Sequence, residues 1–381
     1  MRVEVKPSLL MWARERAGLD VPTLSKKFPK LPEWEAGEHQ PTLKQLEGFA
    51  KATHTSVGYL LLPEPPVESL PIPDFRTMGD RPLSRLSADL LDTVYACQQR
   101  QDWYRDFART NREDPVRFVG SVDVGADVVD TAAIMRTTLG FGLDERRQAG
   151  NWTGALDMLR EHAELAGVLV MVNGIVGSNS YRKLNPDEFR GFALADRLAP
   201  VIFVNGSDTK AAQIFTLAHE LAHLWIGQSG LSDAELSGHS DSAIERWCNQ
   251  VAAEFLVPLD VVRREAGDLS DLTSALDRLA RTFKVSTLVI LRRLLDGQRF
   301  TPAEYRAAYI AERDRVLALM GDRGSGGNFY NTTPVRVSKR FARALIASTW
   351  EGQTMYRDAA RLLGFKKLST LDELGQNLGV A

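Results

Sequence analysis

Two histidines set four residues apart are the side chains of this chain best suited to chemistry. His219 and His223 enclose Glu220 in the pattern His-Glu-x-x-His, within an apolar segment that predicts a helix. Residues four apart lie on one face of a helix, so both imidazoles can bind the same metal ion. Glu220 lies about 100° round the helix axis, where its carboxylate can act as general base on a metal-bound water. Chance produces this pattern in roughly one such chain in a hundred, which makes two ordinary packed histidines the weaker interpretation.

A catalytic zinc site usually has three protein ligands, so a third ligand must follow in the sequence. The candidates are Glu245, Glu254 and His239. The two glutamates are nine residues apart on one predicted helix, about 180° round its axis, so only one of them can face the metal. Glu245 is favoured, because Asn249 four residues later is placed to hydrogen-bond a metal ligand. Glu254 is then expected to be an exposed helix glutamate. His239, in a polar loop, is the alternative third ligand or a group that stabilises the oxyanion.

These residues predict a zinc-dependent hydrolase. Cys97 and Cys248 are the only cysteines, too few for a cysteine-based zinc site, so a metal centre has to combine histidine with carboxylate. Two imidazoles, one carboxylate and an open position suit one zinc ion per chain, although manganese or iron accept the same ligands. Zinc would lower the pKa of its water to about 7 and polarise a peptide carbonyl. Glu220 would take the proton and pass it to the leaving amine.

The elements that hold these residues are predicted from the hydrophobic pattern. Helices are expected over residues 210–227 and 242–257. Short apolar runs that end in Asn-Gly pairs predict strands at 168–172 and 201–204, and another strand is expected near 175–184. The three strands would form a small antiparallel sheet, so the predicted fold class is α+β, mainly helical, with this sheet in a central metallopeptidase domain. Further helices are predicted at residues 8–18, 43–52, 82–111, 128–139, 152–166 and 272–319.

Composition places the chain among globular proteins and excludes several classes. Its 381 residues suggest two or three domains, and 44% hydrophobic with 25% charged residues exclude a wholly disordered, collagenous or coiled-coil chain. The 47 basic residues nearly balance the 49 acidic ones, so any nucleic-acid contact has to come from a local patch. Neither a signal peptide nor a membrane-spanning apolar run is apparent, and two cysteines fit a reducing compartment. A cytoplasmic location without membrane contact is expected.

Two segments of biased composition divide the chain. Residues 63–73 contain five prolines, which exclude a helix or a central strand there, and residues 321–327 are glycine-rich. We therefore predict four parts: an N-terminal domain at 1–66, a proline linker with a helical connector at 67–127, the metallopeptidase domain with a helical extension at 128–320, and a basic helical domain at 328–381.

Residues 215–224, which contain the His-Glu-x-x-His pattern, and residues 245–258 together closely resemble the ImmA/IrrE family of metallo-endopeptidases. The resemblance extends over about residues 130–315. It implies a compact zincin-type α+β domain, Glu245 as the third ligand, and cleavage of a repressor or another regulatory protein. At Val251 the family commonly has phenylalanine, a difference that is expected to affect packing and not chemistry.

The N-terminal segment resembles a Cro/C1-type (XRE) helix-turn-helix, chiefly over residues 34–62. Where the recognition helix should lie, Pro29 and Pro32 stand three apart, and two such prolines cannot both sit inside a stable helix. Residues 1–66 carry nine basic and eight acidic residues, so their charge does not favour contact with phosphates. The segment is predicted either to bind DNA or to serve as a scaffold, a dimerisation unit or a docking unit for a partner.

Two later segments are further candidates for nucleic-acid contact. The pattern of residues 279–294 predicts a helix, a turn and a second helix. The same pattern is equally typical of a packed helical pair that supports the catalytic domain. Residues 331–368 contain eight basic and two acidic residues, so their net charge is +6. Such a segment either contacts phosphates or forms an ordinary solvated face.

The leading functional hypothesis is a cytoplasmic zinc endopeptidase that cleaves a transcriptional repressor or an antitoxin-like protein, with the flanking domains selecting the substrate. The alternative is a DNA-binding transcriptional regulator, or the antitoxin of a toxin–antitoxin-like system, in which the peptidase fold is a sensor or interaction domain. A structural toxin-binding partner, which needs neither metal nor DNA, is a third hypothesis. A homodimer is compatible with each of them.

Overall fold

The computed structural model describes residues 2–75, 86–232, 242–319, 329–365 and 369–380. Contacts divide the chain into two compact units, which comprise the described parts of residues 1–71 with 80–95 and of residues 72–79 with 96–381. The predicted glycine linker at 321–327 and the candidate His239 lie outside the described residues. The predicted division of the chain into four parts stays a prediction.

The first unit is built from short helices around one apolar core. In chain order its elements are α1 (Pro7–Arg16), α2 (Val21–Ser25), α3 (Leu31–Glu35), α4 (Leu43–Ala52), a 3₁₀ turn (Val57–Leu61) and the first residues of α5 (Ala88–Thr110). Helix α4 begins with a capping box, in which Thr42 and Gln45 satisfy each other's backbone N–H groups. The rings of Phe28, Trp34 and Phe49 contact one another in the core.

The segment predicted to lack a stable recognition helix holds two helices of five residues each, α2 and α3. Residues 26–30 between them are not helical. Pro32 occupies the first turn of α3, where a missing N–H leaves no intrahelical bond unmade. The prolines therefore separate two short helices and do not interrupt a long one. The resemblance of this unit to a helix-turn-helix stays a prediction.

The second unit contains the rest of α5 and a larger set of helices. Those described are α6 (Val128–Leu139), α7 (Leu143–Gln148), α8 (Trp152–Leu165), α9 (Lys210–Trp225), α10 (Ala243–Leu256), α11 (Leu259–Glu265), α12 (Leu272–Phe283), α13 (Thr287–Asp296), α14 (Pro302–Leu319), α15 (Phe329–Val337), α16 (Lys339–Trp350), α17 (Tyr356–Leu363) and α18 (Ser369–Leu378). Among the helices described in either unit, none is long and apolar enough to cross a lipid bilayer.

The strands of the second unit form one mixed sheet and one hairpin. They are β1 (Leu169–Asn173), β2 (Ile175–Val176), β3 (Asn179–Lys183), β4 (Gly191–Leu194), β5 (Val201–Asn205) and β6 (Gly230–Ser232). The sheet has the order β1-β5-β4-β6, while β2 and β3 form the hairpin. The fold class is α+β, as predicted.

The expected antiparallel arrangement of the sheet is wrong. Strand β1 pairs with β5 in parallel, from Leu169 opposite Val201 to Asn173 opposite Asn205. Among the described strands of this sheet, β4 alone runs opposite to the others, because it pairs antiparallel with both β5 and β6. The segment near 175–184 forms the separate hairpin. After β1 the chain passes through the hairpin and β4 before it enters β5, and this long connection lets β5 run in the direction of β1.

Helices cover the sheet and bury it. Helices α8 and α15 pack on β1, α9 packs on β4 and β5, and α10 packs on α9 and α6. Every residue of β1, β4 and β5 is buried, as expected of strands that helices cover. Thirteen consecutive residues of α9, from Gln213 to Trp225, are buried as well. Helix α9, which carries the predicted catalytic pattern, is therefore the centre of this unit.

The basic C-terminal segment belongs to the second unit, and part of its charge is engaged there. Lys339 pairs with Glu161 at 2.7 Å, and Arg340 pairs with Glu113 at 3.1 Å. Arg343 donates to a backbone carbonyl at 3.1 Å. Arg361 pairs with Asp358 at 3.6 Å, so at least four of the eight basic residues counted over residues 331–368 have partners within the protein. Nucleic-acid contact by this segment stays a prediction.

Candidate metal centre

Helix α9 begins at a strong N-terminal cap. The hydroxyl of Thr209 accepts a hydrogen bond from the N–H of Ala212 at 3.2 Å. The side chain of Gln213 donates to the carbonyl of Gly206 at 3.1 Å, which ties the first turn to the loop after β5. Apolar residues on all sides of α9 are covered by the sheet and by α8 and α10. The polar residues of the His-Glu-x-x-His pattern are therefore held inside the unit at fixed positions.

Three of the predicted site residues converge at one point. Nε2 of His219 lies 3.1 Å from Nε2 of His223. On α10, the Oε2 atom of Glu245 lies 3.1 Å from Nε2 of His219, and its Oε1 atom lies 2.9 Å from Nε2 of His223. All three residues are buried, with exposed fractions of 3% or less. The structure therefore brings together the two imidazoles and the carboxylate that the sequence analysis favoured.

Burial and mutual attraction set the charges of these three groups. Burial by itself would raise the pKa of Glu245, but the two adjacent imidazoles outweigh it and lower that pKa to about 2. Burial also opposes the charged form of His219, but Glu245 outweighs it and raises the pKa of that imidazole. For His223 burial prevails and lowers the pKa, which favours the neutral ring. An anionic carboxylate and a neutral imidazole are the forms that bind metal.

Glu220 is held by a residue that the sequence analysis did not identify. Ser232, the last residue of β6, donates a hydrogen bond from its hydroxyl to Oε1 of Glu220. The other oxygen, Oε2, is buried and has no hydrogen-bond partner among the described residues. Burial raises the pKa of Glu220 to about 8. A single serine in a three-residue strand carries no pattern from which its contact with Glu220 could be inferred.

Strand β4 lies so close to α9 that only glycine fits at position 191. A Cβ atom on Gly191 would lie 2.6 Å from Cγ2 of Thr216 and 2.8 Å from the carbonyl oxygen of Phe203. It would also lie 3.1 Å from Oε1 of Glu220. The missing side chain therefore lets the sheet approach the part of α9 that carries Glu220.

The remaining candidates occupy different positions. Asn249 contributes to the raised pKa of His219 as a hydrogen-bond acceptor for that imidazole, which is the kind of contact its spacing predicted. The expectation that Glu254 is exposed is wrong: it is 4% exposed, forms an ion pair with Arg293 and accepts a hydrogen bond from the N–H of Leu259. Its carboxylate caps α11 and neutralises a buried arginine, so its role in the described structure is in packing. His239 lies outside the described residues.

The convergent atoms can be reached by one metal ion. Zinc binds nitrogen and oxygen at about 2.0–2.2 Å, so ligand atoms that share an ion lie roughly 3–4 Å apart. The two Nε2 atoms are 3.1 Å apart, and each lies 2.9–3.1 Å from a different oxygen of Glu245, so the carboxylate faces both rings. Ligand atoms from His219, His223 and Glu245 all lie within 4.8 Å of one another. The donor set and its spacing therefore suit a divalent metal ion.

The fold and the site together give an α+β unit with a buried His-His-Glu cluster beside a second buried glutamate. Residues 163–295, which contain α9, β6 and α10, match the family model described as an IrrE N-terminal-like domain, Peptidase_M78. This match supports a metallopeptidase domain of the ImmA/IrrE type in this part of the chain. Residues 337–377 match the model of a domain of unknown function, DUF8813. No curated protein shows significant similarity to the chain.

Proposed function

We propose that this protein is a zinc-dependent endopeptidase that hydrolyses a peptide bond in a regulatory protein. The observation that carries the proposal is the buried triangle of His219, His223 and Glu245 next to the carboxyl group of Glu220. The match of residues 163–295 to an IrrE N-terminal-like domain supports the same reaction class.

The two imidazoles and the carboxylate of Glu245 would hold the ion, and Asn249 would orient His219. A bound zinc ion supplies an acidified water, with a pKa near 7, and polarises the carbonyl of the scissile bond. Two nitrogen ligands and one carboxylate favour zinc, and manganese is the second choice.

Glu220 is assigned the proton transfers. Its Oε1 atom is fixed by the hydroxyl of Ser232, while Oε2 has no partner among the described residues and is therefore available to a proton. During attack on the peptide carbonyl, this oxygen accepts a proton from the water. It then gives that proton to the nitrogen of the leaving amine, so the peptide bond breaks and an acid and an amine form.

The substrate is proposed to be a transcriptional repressor or an antitoxin-like protein. This part of the proposal is supported by the resemblance of the two motif segments to ImmA/IrrE endopeptidases, which cleave regulatory proteins. The helical first unit and the C-terminal helices, which lie outside the matched residues 163–295, would select that substrate.

The proposal is tested with the full chain and the regulator encoded next to it. The purified protein is incubated with zinc and that regulator, and the products are identified by mass spectrometry. Glu220→Gln is expected to abolish cleavage while keeping about one zinc per chain, because it removes the proton acceptor and no ligand. The exposed Glu351→Gln is the matched control and should cleave like the wild type.

A second variant tests the metal site itself. His219→Ala removes one of three ligands, so the zinc content measured by elemental analysis should fall from about one ion per chain to near zero. The half-exposed His39→Ala is the control and should keep its zinc. Equal cleavage by Glu220→Gln and the wild type, or full zinc in His219→Ala, contradicts the proposal.

A further inference from the structure

Residues 72–75, here called the strap, lie along the outermost strand of the sheet. The N–H of Phe75 donates to the carbonyl of Leu231 at 2.9 Å, and the N–H of Leu231 donates to the carbonyl of Pro73 at 2.9 Å. These bonds form a parallel bridge in which Asp74 lies opposite Leu231. Strand β6 pairs with β4 on its other side. The strap therefore occupies the edge of β6 as a further strand would.

Phe75 places its ring against one of the candidate metal ligands. The centroid of the ring lies 5.9 Å from that of His223, and the two planes are 15° apart. A Cβ atom on Gly230 would come within 2.4 Å of two ring carbons, so the glycine leaves room for the aromatic ring. Ring stacking on His223 and the space above Gly230 together form a subsite that is filled by an aromatic side chain.

The three residues of β6 connect this edge to the site. Gly230 faces the ring of Phe75, Leu231 bonds the backbone of the strap, and Ser232 bonds Glu220. A peptide that lies on β6 is therefore brought next to both His223 and Glu220. Sheet edges bind extended peptides in this way, through backbone hydrogen bonds that give affinity and side-chain subsites that give specificity.

Only part of the strap is covered by the fold. Ile72 is buried, with 8% of its surface exposed, whereas Pro73 and Asp74 are exposed and Phe75 is half-buried. Pro73 and Phe75 bond the backbone of Leu231, and the ring of Phe75 stacks on His223. A short, partly exposed contact of this kind can open locally without unfolding the unit.

We propose that the strap is an internal occupant of the peptide-binding edge of β6. The substrate is then an extended segment that displaces the strap and places an aromatic side chain where Phe75 lies. That this peptide is a substrate rests on the proposed function. Displacement of the strap by the peptide is a binding event and needs no hydrolysis.

The strap lowers the affinity of the site for any peptide that uses the same edge. A peptide binds only to molecules whose strap is open, so its apparent dissociation constant is the intrinsic one divided by the open fraction. Removing the ring of Phe75 is expected to raise that fraction about tenfold. Replacing Phe75 by proline also removes the N–H that bonds Leu231, so its effect should be larger.

The test is a binding titration of the full chain without metal. The probe is a fluorescein-labelled peptide that copies residues 70–75, and binding is followed by fluorescence anisotropy in the presence of a chelator. Phe75→Ala should bind the probe about tenfold more tightly than the wild type, and Phe75→Pro more tightly still. Tyr181→Ala, which removes a fully exposed aromatic ring from the same unit, is the matched control and should bind like the wild type. A probe with alanine in place of its phenylalanine should bind the variants at least tenfold more weakly.

Hydrogen exchange of the wild-type protein gives a second readout that needs no variant. At saturating probe, the amide of Phe75 should lose its protection because the strap is displaced. The amide of Leu231 should stay protected because the probe replaces Pro73 as its acceptor. Equal probe affinity of Phe75→Ala and the wild type, or an unchanged Phe75 amide at saturation, overturns the inference. The binding results stand whether or not the protein hydrolyses peptides, so failure of the proposed function is detected separately, by the Glu220→Gln comparison.

Discussion

Single side chains decide how the candidate base is held in this site. Glu220 is fully buried, and its oxygen Oε1 depends on one hydrogen bond, from the hydroxyl of Ser232. The ligand residues come from α9 and α10, whereas Ser232 comes from β6. The serine is therefore a positioning residue, which acts on the reaction through Glu220 and takes no part in the triangle of His219, His223 and Glu245.

Replacing Ser232 by alanine should lower kcat and leave metal binding intact. Loss of the hydroxyl leaves a buried carboxylate oxygen without its donor, which costs about 1–3 kcal/mol, so kcat is expected to fall about 10- to 100-fold. KM should change little, because the side chain of Ser232 is fully buried and bonded to Glu220. Steady-state kinetics measure kcat and KM, and elemental analysis measures the zinc content. The exposed Ser180→Ala is the control. An unchanged kcat, or a parallel loss of zinc, would show that Ser232 does not position the base.

At the scale of elements, the C-terminal end of α10 is held by three arginines. Arg136 donates to the carbonyl of Glu254 at 2.8 Å, Arg293 donates to the carbonyl of Val257 at 2.9 Å, and Arg146 donates to the carbonyl of Leu256. These are carbonyls that a helix end leaves without intrahelical partners, and cations there also complement the helix dipole. The arginines thus fix the helix that brings Glu245 to the site.

Arg293→Ala should destabilise the protein strongly. Arg293 and Glu254 are paired with their side chains only 6% exposed, so removing the arginine leaves a buried carboxylate without its ion-pair partner. The expected loss in the free energy of unfolding is about 3–5 kcal/mol. Its neighbour Arg292, which pairs with Asp296 at a more exposed position, is the control, and Arg292→Ala should cost less than about 1 kcal/mol. Urea denaturation measures both, and equal losses would contradict a special role for the buried pair.

Helices were predictable from the sequence because their signals are local. The limits predicted at 43–52 and 128–139 agree with α4 and α6, since capping residues and apolar spacing lie within the helix itself. The parallel pairing of β1 with β5 could not be predicted, because the direction of a strand depends on the path of the chain between strands. Strand β6, with three residues, is too short to show an alternating pattern. Ser232 and the strap depend on that strand, so they became visible only in the structure.

The candidate site was more predictable than the sheet. His219 and His223 owe their proximity to helix geometry, and Glu245 lies on a helix whose apolar face must pack against α9. Glu254 shows where this reasoning ends. Its position on the far side of α10 from Glu245 was expected, but its burial depends on Arg293, which comes from a helix that starts about thirty residues later. A sequence pattern does not reveal a partner at that distance.

At the scale of the whole molecule, the chain forms two compact units. Among the described residues, the apolar cluster of the N-terminal helices and the cluster that contains α9 have no residue in common. Only the second unit contains the candidate metal ligands. A ligand that binds one folded unit stabilises that unit against unfolding and leaves a separate unit unchanged.

Zinc should therefore stabilise one of two thermal transitions. In differential scanning calorimetry the full chain is expected to show two endotherms, because chains with separate cores do not unfold as one cooperative unit. Zinc at 1,000 times its dissociation constant adds about 4 kcal/mol to the second unit, which shifts its Tm upward by roughly 10 °C. Phe49→Ala, which opens a cavity in the first core, should lower the other Tm and leave the zinc-dependent one in place. His219→Ala should remove the zinc shift without moving the first transition. A single endotherm that zinc moves as a whole would mean that the two units unfold together, and then the metal would stabilise the N-terminal helices as well as the site.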